Sequence, residues 1–75
     1  MKGIVVGIGL YTKKDSDKKR ARVCVEIEPP EGFLGKCYQT LNCAREVLAS
    51  DPKTMIGQTY VIDTDGGFGN GFYKV

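Results

Sequence analysis

Histidine and tryptophan are both absent from this chain of 75 residues. Without histidine the commonest general base and the commonest metal ligand are gone together. Serine occurs only at Ser16 and Ser50, both in polar turns, so nucleophilic catalysis has no activated partner in view. Enzymatic activity and a bound cofactor are not expected. Cysteine is scarce as well: Cys24, Cys37 and Cys43 are odd in number and show no Cys-x-x-Cys spacing. That pattern fits neither a disulfide scaffold nor a zinc site, and it points to reduced thiols and a cytoplasmic setting. Long apolar runs are missing too. The longest, Ile4 to Leu10, is interrupted by Gly7 and Gly9 and lies far below the roughly 20 residues of a membrane helix. It has no small-residue cleavage site and is not read as a leader. What remains is a small globular binding module: one domain over 1–75, with no membrane partner expected.

Charge is distributed unevenly. Residues 1–22 carry seven cations (Lys2, Lys13, Lys14, Lys18, Lys19, Arg20, Arg22) against Asp15 and Asp17, a net of +5. Residues 23–75 carry four cations against seven acids, a net of −3. A basic surface on an otherwise mildly charged chain fits an anionic partner, although a solvated hairpin tip has the same composition.

Alternation organises the chain. From Gly3 to Tyr11, Ile4, Val6, Ile8 and Leu10 share one face, and Gly3, Val5, Gly7, Gly9 and Tyr11 share the other. The glycines leave room for a close neighbour or a bend. After the polar stretch Lys13–Lys19, Arg20 to Glu28 alternates again. Ala21, Val23, Val25 and Ile27 point inward, and Arg20, Arg22, Cys24, Glu26 and Glu28 point outward. These two segments form a long antiparallel hairpin, stopped by Pro29-Pro30. A third strand runs from Lys36 to about Leu41. Neither of its faces is clearly apolar, but Cys37 and Leu41 favour burial of the Cys37, Gln39, Leu41 face. Asn42 is suited to cap a short helix over Ala44–Ala49, which Ser50-Asp51-Pro52 ends. The fourth strand is Thr59–Thr64, with Tyr60 and Ile62 inward. Asp65-Gly66-Gly67 makes the turn, and Phe68–Val75 the last strand, with Phe72 in the core.

The order β-β-β-α-β-β predicts a mainly β fold: a five-stranded OB-fold-like Greek-key barrel with one short helix between strands three and four. An SH3-like barrel is the competitor, and it normally lacks a helix at that point. OB-folds present the face of strands two and three, flanked by the β1–β2 and β4–β5 loops. On that surface fall Tyr11, Lys13, Lys14, Lys18, Lys19, Arg20, Arg22, Lys36, Tyr38 and Phe68. Cations track phosphates and aromatic rings stack on unpaired bases, so the set has the chemistry of single-strand nucleic-acid binding. Arg20, Arg22 and Lys36 are assigned to phosphates, and Tyr11, Tyr38 and Phe68 to bases. Tyr38 is alternatively a cross-strand packing partner. Glu26 and Glu28, on the same outward face, count against a nucleic-acid path along its whole length.

Other motifs carry less. Gly66-Gly67-Phe68-Gly69-Asn70-Gly71 and Gly7-Ile8-Gly9 lack the lysine, the third glycine and the helix of nucleotide-binding loops. Asp63 and Asp65 read as a polar turn rather than a metal pair.

The run Ile56-Gly57-Gln58-Thr59-Tyr60-Val61, followed by a Gly-Phe-Gly turn and a terminal strand, resembles the small single-stranded DNA-binding proteins of filamentous phages and other mobile elements. The resemblance covers roughly the last 20 residues. It implies a symmetric homodimer and single-stranded DNA as the partner, with RNA as the alternative. The helix-like Ala44–Ala49 segment and the shorter chain depart from that family. The competing expectation is a protein-interaction or regulatory subunit on the same barrel.

Overall fold

The computed structural model describes residues 1–75 and is a closed five-stranded barrel with strand order β1-β2-β3-β5-β4. The strands are β1 (Lys2–Thr12), β2 (Lys19–Ile27), β3 (Cys37–Ala44), β4 (Thr59–Asp65) and β5 (Phe68–Lys74). β1 pairs antiparallel with β2 and also, through Lys2, Gly3 and Ile4, with β4. A parallel contact, Asn42 to Phe68, joins β3 to β5 and closes the cylinder. This is the OB-fold-like Greek-key barrel expected from the element order. No helix is long and apolar enough to cross a membrane.

β1 serves two neighbours because it bends. The register with β2 slips between Val5 and Gly7, so Val6 is an extra, unpaired residue. A bulge of this kind turns the strand and reverses which residues face inward. Before it, Gly3 and Val5 are buried and Ile4 and Val6 are exposed; after it, Ile8 turns to the core opposite Val23. The strict alternation expected for Gly3–Tyr11 is therefore corrected: Ile4 and Ile8 lie on opposite faces. Gly3 sits close against β2. A Cβ there would lie 3.1 Å from the Glu26 carbonyl oxygen and 3.3 Å from Val25 Cβ.

β2 behaves as its alternation predicts, with Ala21, Val23 and Val25 fully buried. On β3, Leu41 and Cys43 are buried and Tyr38 is exposed, so the Cys37, Gln39, Leu41 face is the inner one. Tyr60 and Ile62 of β4 join the core, and the Phe72 ring meets Tyr60 edge-on at 6.2 Å between centroids. The β4–β5 hairpin turns on Gly66-Gly67. Gly66 takes φ +60° at the first central position, which hairpin turns require to be positive.

The helix expected over Ala44–Ala49 is not formed. Asn42, Cys43 and Ala44 instead continue β3, pairing with Arg22, Ala21 and Arg20. Asn42 is thus a strand residue and caps nothing. Two 3-10 turns follow, Arg45–Val47 and Pro52–Met55, separated by extended Leu48 at φ −85°, ψ 163°. Pairing with β2 buries Cys43, and the few residues left before Pro52 cannot sustain a costly helix nucleus. The segment still closes the barrel end. Leu48 and Met55 are buried, and Met55 Sδ accepts a hydrogen bond from Ala49 N at 3.4 Å.

Candidate nucleic-acid interface

Because of the bulge at Val6, the far end of β1 turns Gly7, Gly9 and Tyr11 outward, onto the same surface as Cys24, Arg22 and Arg20 of β2. Without that extra residue Tyr11 would share a face with buried Val5. Gly9 lies opposite Arg22 and presents no side chain. The Arg22 guanidinium leans over the Tyr11 ring instead, 5.1 Å from its centroid. A second pair sits beside it. The Asn42 backbone N–H donates to the Gly67 carbonyl at 2.9 Å, tying the β4–β5 tip to β3, and the Arg20 guanidinium lies 5.8 Å from the Phe68 ring centroid.

These residues line an open groove of about 380 Å³ made by Tyr11, Arg20, Arg22, Asn42 and Phe68, with Lys13 and Lys18 on its rim. Lys13 N donates to the Lys18 carbonyl at 2.8 Å, which closes the β1–β2 turn and holds both lysines at that rim. The turn is completed by Asp17 at φ +53°, a conformation aspartate tolerates better than most residues. None of the groove's four cations has a carboxylate partner: the one ion pair of the protein is Lys36 to Glu26, at 3.6 Å. The groove therefore offers two flat rings, two guanidinium planes and an unneutralised positive field.

Six of the ten residues expected at the interface meet here: Tyr11, Lys13, Lys18, Arg20, Arg22 and Phe68. Lys14 is exposed in the turn, and Lys19 lines a neighbouring groove with Arg45 and Leu48. Lys36 and Tyr38 lie elsewhere. Tyr38 pairs with Glu26 and Cys37 with Ile27, at the opposite end of the β2–β3 ladder from Arg20. Lys36 is held by Glu26 there, an exposed pair worth at most about 1 kcal/mol.

Two contributors were not anticipated. Asn42 occupies the groove floor, and its Oδ1 is buried without a hydrogen-bond partner. Extending the outward set Tyr38, Thr40 by two residues along β3 reaches it. Arg45 lies behind the groove. Its guanidinium donates to the carbonyls of Tyr11 at 2.8 Å and Arg20 at 3.3 Å, fixing the cross-strand pair that carries both platforms. No periodic signal marks Arg45, because its role depends on two carbonyls distant in sequence.

All three thiols are free. Burial pushes the Cys43 thiol above its ordinary 9.0, against a smaller downward pull from the Arg20 guanidinium. The native thiol thus holds its proton more tightly than the unfolded one. Its contribution to stability is complete below the unfolded value and is lost as pH rises through the native value. Urea unfolding of the wild type should weaken between about pH 8 and about pH 10 by more than that of Cys43→Ala. Equal pH dependence in the two proteins would refute the shift.

No family model, no curated protein and no solved structure matches the chain.

Proposed function

We propose that this barrel is a non-catalytic module that binds single-stranded nucleic acid, DNA in the first instance, with little sequence preference. The observation that carries this reading is the groove in which two aromatic rings, each beside a guanidinium, stand among four cations without carboxylate partners. A base stacked on either ring presents a π-face that every base offers, at about 1–3 kcal/mol per base. Phosphates on either side meet Lys13, Lys18, Arg20 and Arg22. The β2–β3 face continues from the groove past Thr40 to Tyr38, giving a longer strand a further ring before it reaches the Glu26–Lys36 pair.

Fluorescence anisotropy of a labelled oligonucleotide tests the proposal. Binding should be measurable at low salt, and four phosphate contacts should give a slope of log affinity against log salt of about −3. Homopolymers of different bases should bind within about tenfold of one another, since stacking is sequence-tolerant. No binding at low salt would remove the proposal.

A further inference from the structure

The two ends of the barrel carry opposite chemistry. At one end, the connection between β2 and β3 projects Phe33 and Leu34; Leu34 is 93% exposed, the most exposed large apolar side chain of the protein. Glu28 and Glu31 precede them, and no cation lies between Ile27 and Lys36. This loop is built rather than slack. Pro29-Pro30 stiffens its start, Phe33 N donates to the Pro30 carbonyl at 3.0 Å, and Gly32 and Gly35 bracket the apolar pair at φ +83° and +88°. Folding has held two apolar side chains out in water, which costs free energy unless something covers them.

At the other end lies a second open groove, of about 920 Å³, between the β1–β2 turn and the segment of 3-10 turns. Leu10 and Pro52 supply most of its apolar surface, with buried Leu48 also lining it, while Lys18, Lys19, Arg20 and Arg45 supply charge against a single acid, Glu46. No aromatic ring lines it, so it has no platform for a base. An acidic segment with aliphatic and aromatic side chains at its tip complements it.

The loop cannot fill the groove of its own chain. Seven residues of β2 separate Ile27, where the loop begins, from Arg20 at the groove, about 23 Å at strand rise. Nine residues, 28–36, anchored at both ends span ten steps of chain, so their tip reaches back no more than about 18 Å even fully extended. We infer that the Glu28–Leu34 loop of one copy docks in the groove formed by Leu10, Lys19 and Leu48 of the next. Leu34 and Phe33 cover the apolar surface, and Glu28 and Glu31 face Lys18 and Lys19. The contact joins unlike surfaces, so it does not close on itself as a two-fold dimer does, and copies add head to tail. Its small area makes it transient, and its charged part is screened by salt. The inference does not depend on the nucleic-acid reading.

Sedimentation equilibrium without nucleic acid tests it. At low salt the wild type should be a monomer at ~10 µM and exceed the dimer mass at ~1 mM, as a contact of small area implies. Leu34→Asp and Lys19→Glu, both at exposed positions, should each remain monomeric at the higher concentration and melt like the wild type. Mixing the two variants is the decisive arm. Each retains one intact half, so the mixture should form a one-to-one dimer and grow no further. Three results overturn the inference: a wild type that stays monomeric, a Leu34→Asp protein that associates normally, or a mixture in which no dimer appears. Shifts of the Leu10 and Leu48 methyl resonances on adding an oligonucleotide, without any self-association at ~1 mM, would assign the groove to nucleic acid instead and equally overturn it.

Discussion

Phe68→Ala should lower oligonucleotide affinity by about 5- to 150-fold, the equivalent of one lost stack at about 1–3 kcal/mol. The ring is half exposed and stands at the mouth of the β4–β5 hairpin, so its removal leaves the core intact. Stacking displaces few counterions, and the salt slope should stay where it was. Arg22→Ala should behave in the opposite way, with a slope shallower by about 0.7 for the phosphate contact removed. Tyr38→Ala separates the groove from the rest of the face. Tyr38 lies four residues along β3 from Asn42, about 13 Å away, and is exposed. A short oligonucleotide confined to the groove should bind this variant like the wild type, and one that runs the length of the face should bind it more weakly. Anisotropy titrations at two salt concentrations measure all three. An unchanged affinity for Phe68→Ala, with the protein folded, would remove the aromatic part of the proposed interface.

The largest expected effect on stability belongs to Leu41→Ala. Leu41 is fully buried opposite Val23, at the centre of the core. Truncating such a leucine costs about 2–5 kcal/mol, through lost burial and the cavity left behind. A domain of this size holds only about 4–11 kcal/mol in total, so much of its margin goes. The melting temperature should fall by on the order of 20 °C, followed by far-ultraviolet circular dichroism. Leu34→Ala is the matched control: the same chemical change at a 93% exposed position should move the melt by no more than a few degrees. A small shift for Leu41→Ala would mean that the faces of β3 are the reverse of those described.

Those faces were legible in the sequence, though narrowly. Cys37 and Leu41 tipped an ambiguous pattern, and burial of Leu41 and Cys43 agrees with them. The β2 pattern was plain, because Ala21, Val23 and Val25 alternate with charged residues and with Cys24. The hairpin turn at Gly66-Gly67 was equally plain, since positive φ at its first central position selects glycine locally. Tyr60 and Ile62 share the inward face by the same alternation, and Phe72, expected inside because an apolar group must close the barrel end, packs partly buried against them. The segment after β3 departs from its local pattern. Asn42 and Ala44 through Ala49 carry the marks of a capped helix, yet pairing of Asn42, Cys43 and Ala44 with β2 extends the strand and buries Cys43. Local propensity lost to a ladder whose other half lies about 20 residues away in the chain.

By itself, then, the sequence determined whatever depends on near neighbours: the strand periods, the turn at Gly66, the stop at Pro29-Pro30, and the clustering of cations in the first 22 residues. Alternation and turn chemistry are written in consecutive residues, so they can be read there. Only the tertiary structure decided which end of the β2–β3 face becomes a groove. That depended on the bulge at Val6, which turns Tyr11 outward, and on barrel closure, which carries Phe68 beside Arg20. It depended also on Arg45 reaching two carbonyls across the barrel end. A bulge is an extra residue counted against a partner strand, and closure is a condition on all five strands together. Neither is a property of any one segment of the chain.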